Sequence, residues 1–308
     1  MSPAPSPTPY QALRHARSRF VPVRGLQIHL LQWGEPQPGV PLRVMAHGFM
    51  DVGASFQFVV DALHALGDEA CVIAPDWRGF GRTLPPPGTD AYWFPDYVGD
   101  LDGLLDALSS DVPVDLIGHS MGGNVAMTYA GVRPQRIRRL VNLEGFGLPD
   151  LPPAQAPGRL AQWLDELKTP QRLKPYASLA DVAQRLRQNN PRLPADRAEW
   201  LAAHWAERQP DGQWQLRADA AHRRVNPVPY RAADAMATWA AITAPTLWVQ
   251  GGESTPEKFW NGRYTLAEFR QRLAQVRDVR ECLLPGAGHM LHHDQPQALA
   301  AAMADFLR

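Results

Sequence analysis

Short apolar runs alternate along the chain with longer stretches in which apolar residues recur every three or four positions. The runs at 26–32, 42–46, 70–74, 114–117, 140–143, 246–250 and 279–284 predict strands. The periodic stretches at 56–66, 94–108, 122–133, 265–276 and 296–307 predict helices between them. Strands alternating with helices imply right-handed crossovers and a mainly parallel, doubly wound α/β sheet covered on both faces, with an antiparallel hairpin possible at its first edge. The alternation stops between about Pro149 and Trp239. A proline-rich connection (Pro149, Pro152, Pro153, Pro157) opens that stretch, and helical spacing follows at 159–168, 179–188 and 196–208. The expected organisation is a flexible leader over 1–20, a core over 21–148 and 241–308, and a helical cap over 149–240.

Composition narrows the picture slightly. With 31 basic and 31 acidic residues the formal net charge is zero, which gives no reason to expect nucleic acid or an anionic membrane as partner. Arg133, Arg136, Arg138 and Arg139 cluster, but at the end of a predicted helix, where the helix dipole favours cations. Cys71 and Cys282 lie in strand-like runs without metal-ligand spacing and read as reduced, buried thiols. No apolar run approaches the roughly 20 residues of a membrane span, and the first 20 residues lack a signal-peptide pattern, so the expected location is cytoplasmic.

The sharpest chemical signal is Gly118-His119-Ser120-Met121-Gly122, set between a predicted strand and a predicted helix. A tight turn there leaves no room for side chains at 118 and 122, and it lifts the Ser120 hydroxyl to the positive end of the helix. Small residues at 123, 126 and 130 let that helix lie close to the sheet. A serine hydroxyl needs a neighbouring base and donors for a developing oxyanion. His47-Gly48-Phe49-Met50-Asp51 follows the strand at 42–46, so the backbone N–H groups of Phe49 and Met121 are the expected oxyanion hole. His47 itself reads as structural.

These motifs, with Asp76-Trp77-Arg78-Gly79-Phe80-Gly81-Arg82 and Gly286-Ala287-Gly288-His289, stand in an order that resembles the α/β-hydrolase fold family from about Phe20 to Leu307. The resemblance implies that Ser120 is the nucleophile and His289 the general base. His289 also follows the last strand through a flexible glycine-rich stretch that can carry an imidazole over the serine. His292, His293 and Asp294 raise a metal site beside His289, but no carboxylate or thiol cluster elsewhere in the sequence completes a ligand set, and neither metal nor cofactor is expected.

The family's acid is usually an aspartate three residues past a glycine after the strand at 246–250. Here that count falls on Ser254 or Thr255. Two replacements compete: Glu253 on the same loop, and Glu144, which closes the strand at 140–143. A branch that includes many haloalkane dehalogenases carries its acid as a glutamate at the latter place, so Glu144 is favoured and Glu253 stays open. That branch and the epoxide hydrolases use an aspartate nucleophile, whereas this chain has Ser120, and Met121 replaces the halide-binding tryptophan. The expected chemistry is therefore acyl transfer on a small hydrophobic substrate. An ester is the first choice, with a lactone, thioester, amide, C–C bond or perhydrolysis open, and a non-catalytic ligand-binding protein as the rival of another class. Trp93, Phe94, Trp163 and Trp205 are the candidate pocket residues, collectively suiting an apolar acyl group.

Overall fold

The computed structural model describes residues 9–308. Its central sheet contains β1 (Arg17–Val23), β2 (Leu26–Trp33), β3 (Arg43–Ala46), β4 (Val72–Pro75), β5 (Val114–His119) and β6 (Ile137–Leu143). A hairpin, β7 (Ala206–Arg208) and β8 (Trp214–Leu216), stands apart, and β9 (Thr246–Gly251) and β10 (Val279–Leu284) complete the sheet. The order is β1-β2-β4-β3-β5-β6-β9-β10. The β1–β2 and β2–β4 pairings are antiparallel and every other pairing is parallel.

The inner parallel strands are largely apolar on both faces because helices cover both, while β10 at the edge exposes Arg280, Glu281 and Leu283. α1 (Gln57–Ala65) and α11 (Pro296–Leu307) pack on one face, over Met45, Ile117, Val141, Leu247 and Val249. On the other, α2 (Phe94–Leu108), α3 (Met121–Val132), α7 (Ala232–Ala240) and α9 (Leu266–Leu273) cover Val44, Ile73, Leu116, Leu140 and Trp248. Helix starts follow local chemistry: Pro95 stands in the first turn of α2, and Thr265 and Glu268 form a reciprocal capping box at α9.

Between β6 and α7 the chain leaves the sheet and forms α4 (Ala156–Leu167), α5 (Leu179–Asn189), α6 (Ala195–Trp205) and the β7–β8 hairpin. Two short helices, α8 (Pro256–Phe259) and α10 (Leu291–Asp294), follow β9 and β10. The stretch expected to be helical to residue 208 ends at Trp205 and turns into β7. α7, grouped with the cap in the sequence reading, packs instead on α3. Trp239 lies in the main core, and a Cβ on Gly131 would come within 2.1 Å of the Thr238 carbonyl.

The expected flexible leader is corrected from residue 9 onward, while Pro3, Pro5 and Pro7 lie outside the described residues. Asp61 of α1 accepts bonds from the Tyr10 hydroxyl, the Leu13 N–H (3.1 Å) and the Arg14 N–H (2.9 Å). β1 escaped notice because it is an edge strand in which only Val21 and Val23 are buried. It joins β2 through Arg24 and Gly25, both left-handed, as a type I′ hairpin turn requires. Each clustered arginine is engaged within the chain: Arg133 with Asp102, Arg136 with Asp106, Arg138 with Asp115 through two bonds, and Arg139 with the carbonyl of Arg308. Cys71 is buried and Cys282 only half-buried; both are free. No helix among the described residues is long and apolar enough to cross a membrane.

The insertion returns to the sheet over the loop after β4. Asp219 N–H donates to the Gly79 carbonyl (2.8 Å), Gly81 N–H to the Arg217 carbonyl (2.7 Å), and His222 slides between Phe80 and Tyr92. Its ring centroid lies 3.8 Å and 3.6 Å from theirs, and its Nδ1 is 3.2 Å from the Tyr97 hydroxyl. Burial in this aromatic slot lowers the His222 pKa from about 6.5 to about 4. Between those values the unfolded chain binds a proton that the folded chain refuses, so the joint loses stability as pH falls from 6.5 toward 4. His222→Phe fills the slot without a titrating nitrogen. Chemical denaturation should show the variant gaining on wild type by on the order of 2 kcal/mol between pH 7 and pH 5; parallel pH profiles would refute this account of the joint.

Candidate active site

β5 delivers Ser120 to the C-terminal edge of the sheet through a turn that only this sequence pattern tolerates. Ser120 has φ 52° and its N–H donates to the Leu143 carbonyl at 2.9 Å. A Cβ on Gly118 would stand 2.3 Å from the Gly122 carbonyl oxygen, and one on Gly122 would stand 2.1 Å from that of Ala46. Both obstacles are backbone, so neither glycine is replaceable without moving the start of α3 or the end of β3. The turn holds a left-handed non-glycine residue at a cost of order 1–3 kcal/mol, which the surrounding sheet must sustain.

The loop after β10 brings His289 over the serine: its Nε2 is 3.0 Å from Ser120 Oγ. The opposite nitrogen, Nδ1, is 2.9 Å from Glu144 Oε2. Glu144 follows β6 directly, is itself left-handed at φ 57°, and is 1% exposed. Its Oε1 accepts the Gly251 N–H at 2.7 Å, and its Oε2 also accepts the Ser254 hydroxyl at 2.6 Å. A buried carboxylate is tolerable only when paired and hydrogen-bonded, and here three donors meet it. Glu253, the open alternative, has a side chain 55% exposed, with Arg192 3.9 Å away and no bond to His289. Ser254, at one of the two positions where the usual aspartate was sought, thus braces the displaced carboxylate; the sequence reading had counted it only as a missing acid.

The loop after β3 lies alongside. A Cβ on Gly48 would be 3.2 Å from Ser120 Cβ. Neither the Phe49 nor the Met121 N–H donates to another described residue, and Met121, first in α3, has no partner within its helix. Both N–H groups therefore remain free for an oxyanion. His47 is committed elsewhere: its Nδ1 meets the Gly48 carbonyl at 2.8 Å, its Nε2 accepts the Trp77 N–H at 3.0 Å, and burial lowers its pKa. Asp76 braces the neighbouring loops through His29 and the N–H groups of Gly53 and Arg82, while Arg78 pairs with Asp100. His119 points away from the reacting atoms, its Nε2 2.8 Å from the His289 carbonyl, and burial holds its pKa well below the usual range.

The candidate pocket residues divide. Trp93, just before α2, meets Trp163 of α4 edge-on with centroids 5.9 Å apart. Phe94 packs partly into the main core. Trp205, like Trp200, packs against the cluster under α5 and α6 and against the core face covered by α1 and α11. Two residues the sequence reading passed over flank the site. Phe259 of α8 lies almost parallel to the His289 ring, 6.4 Å away, and is 72% exposed. His222 stands edge-on to Phe49, which is itself half exposed. The only signal for Phe259 was an apolar residue in the loop after Gly251-Gly252.

Four similarities bear on the site's ancestry. A family model described as Alpha/beta hydrolase family matches residues 44–302. The chain is 30% identical over 287 residues to the 3-hydroxybutyrate-oligomer hydrolase of Cupriavidus necator, covering 88% of this chain and 89% of that one. It is 37% identical to Epoxide hydrolase 2 of Siraitia grosvenorii over 123 residues, which span only 40% of this chain and 37% of the relative. Among solved structures, the Thioesterase Domain From Curacin Biosynthetic Pathway superposes with a TM-score of 0.81 at 26% identity, covering 94% of this chain and 99% of that one.

The turn generates a paired test. Gly122→Ala should lower stability by about 3 kcal/mol or prevent folding, since backbone must move to admit the methyl group. Gly158→Ala, with nothing within 4 Å of its Cβ in the first turn of α4, should raise stability by about 0.5 kcal/mol. Thermal denaturation of both reads the contrast, and a well-tolerated Gly122→Ala would contradict the tight turn.

Proposed function

This chain belongs to the alpha/beta hydrolase family, and we propose that it cleaves a carboxylic ester of a small hydrophobic acid through a Ser120–His289–Glu144 triad. The observation that carries the proposal is the unbroken line from Ser120 Oγ to His289 Nε2 (3.0 Å) and from His289 Nδ1 to the buried Glu144 carboxylate (2.9 Å). Glu144 accepts a hydrogen bond from Nδ1–H, which leaves Nε2 as the lone-pair nitrogen facing the hydroxyl. His289 then takes the Ser120 proton as Oγ bonds to the substrate carbonyl carbon. The carbonyl oxygen becomes an oxyanion facing the N–H groups of Phe49 and Met121. Collapse of the tetrahedral adduct breaks the ester C–O bond, and the imidazolium returns its proton to the departing alcohol. Water adds to the acyl-serine in the same way, its proton passing to His289, and the acid leaves as Ser120 recovers its proton.

Apolar residues around the site favour a hydrophobic acyl group. Phe259 lies exposed beside the His289 ring, and Phe49 is half exposed on the loop after β3. The relatives' names include a hydrolase of hydroxyacid oligomers and a thioesterase, both consistent with attack on an acyl carbon. The epoxide hydrolases among them fit less well. The resemblance gives those enzymes an aspartate nucleophile, and Ser120 has no carboxylate with which to form an alkyl-enzyme ester.

Hydrolysis of p-nitrophenyl acetate and butyrate by four purified proteins tests the reading. Ser120→Ala should lose at least about 1,000-fold in kcat/KM, and Glu144→Gln about 100- to 10,000-fold. Glu253→Gln should stay within about threefold of wild type, as expected for an exposed side chain outside the hydrogen-bonded line. A fluorophosphonate probe should label wild type and not Ser120→Ala. Full activity in Ser120→Ala would sink the proposal, and loss with Glu253→Gln alone would move the acid to the later loop.

A further inference from the structure

Next to the Ser120–His289 pair lies a second polar cluster that the acyl-transfer scheme does not use. Asp51, His119 and His292 are each at most 3% exposed, and one donor atom from each lies within 4.8 Å of the others. They arrive from three separate segments: Asp51 from the loop after β3, His119 from the end of β5, and His292 from α10. The carboxylate that the sequence could not supply to His292 is therefore brought by the fold.

Proton counting shows that hydrogen bonds alone do not satisfy this cluster. His119 Nε2 faces the His289 carbonyl at 2.8 Å; a carbonyl only accepts, so Nε2 carries the proton and Nδ1 presents a lone pair. That Nδ1 has no partner among the described residues. Asp51 Oδ1 accepts the Val52 N–H at 2.8 Å and the Ser55 hydroxyl, while Oδ2 accepts nothing. Among the described residues neither nitrogen of His292 has a hydrogen-bond partner, and its Nε2 is 3.8 Å from Asp51 Oδ2, too long for a hydrogen bond. Asp51 Oδ2 and His119 Nδ1 thus face the His292 ring with no donor within hydrogen-bond range among the described residues, and an orphaned polar group buried in this way is destabilising.

We propose that Asp51 Oδ2, His119 Nδ1 and one ring nitrogen of His292 form a binding site for a divalent transition-metal ion of the zinc class. Two imidazoles and one carboxylate suit zinc, cobalt or nickel better than calcium or magnesium, which prefer all-oxygen shells. Bonds of about 2.0–2.1 Å would set the donor atoms roughly 3.4 Å apart, so binding draws them together by up to about 1.4 Å. Two ligands already have the outer partners that metal ligands use. The Nε2–H of His119 is held by a backbone carbonyl, and the Oδ1 of Asp51 by an N–H and a hydroxyl. Gly48 keeps the approach to His119 open, since a Cβ there would come within 2.9 Å of Nδ1. An ion bound here ties the oxyanion loop, the nucleophile turn and the base loop together. It stands apart from the choice of bond cleaved.

Protein purified without metal affinity, stripped with a chelator, incubated with Zn²⁺ or Co²⁺ and desalted gives the test by elemental analysis. About one ion per chain should remain on wild type and on the exposed-histidine control His15→Gln. Asp51→Asn and His292→Gln should bind at least about 100-fold more weakly, since loss of even an outer partner can cost that much. Near-ultraviolet circular dichroism checks that the variants fold. Should they not, the Co²⁺ spectrum of wild type decides. Intense visible bands of a low-coordinate nitrogen–oxygen site support the proposal, and the pale spectrum of an aquo ion overturns it. Absence of retained metal in wild type, or equal retention in folded Asp51→Asn, overturns it too. Because the readout is bound metal and not turnover, its failure leaves the hydrolase reading untouched.

Discussion

A carboxylate shut away from water must be surrounded by donors, and much of this site is arranged around that requirement at Glu144. The residue closes β6 in a left-handed conformation and receives an N–H from the end of β9, a hydroxyl from the loop beyond it, and the imidazole carried by the loop after β10. Three loops at one sheet edge are thereby referred to a single buried charge. Breaking one partner of such a set is costly because the charge stays buried with fewer bonds. The parallel register of β6, β9 and β10 sets the distances, and the carboxylate sets the orientations.

Strain and support are balanced across the same edge. Ser120 and Glu144 both occupy left-handed backbone, at the ends of adjacent strands, and the Ser120 N–H is anchored on the Leu143 carbonyl. Glycines at 118 and 122 exist because backbone from β3 and α3 stands where their Cβ atoms would be. The apolar sheet beneath, filled on both faces, is rigid enough to hold two unfavourable conformations side by side.

What was readable from sequence was whatever chemistry concentrates locally. The Gly118–Gly122 turn, the His47-Gly48-Phe49 loop and the Gly286–His289 approach are short motifs, and their strands carry continuous apolar runs, so element order and the positions of Ser120 and His289 followed. Choosing between Glu144 and Glu253 required knowing which side chain turns inward, which depends on the β6–β9 pairing and leaves no local mark. β1 was missed because an edge strand buries only two of its residues. Tryptophan suits a pocket and a helix interface equally well, so nothing in the sequence marked Trp205 for its packing against the α5–α6 cluster. Asp51 and His292 are far apart in the chain, and only the folded sheet edge makes them neighbours.

The insertion is often imagined as one body moving over a site, but its attachments are uneven. Tyr10 stands edge-on to both Phe58 of α1 and Trp200 of α6, so the segment before β1 rivets the α5–α6 half to the sheet's helical layer. α4, by contrast, buries no residue at all. Amide protection follows such differences in packing, so the two halves of the insertion differ in kind: α5 and α6 share the core's cooperativity, while α4 is the compliant wall. The wall beside Trp93 is thus the part of the insertion with the least buried packing to lose on local opening.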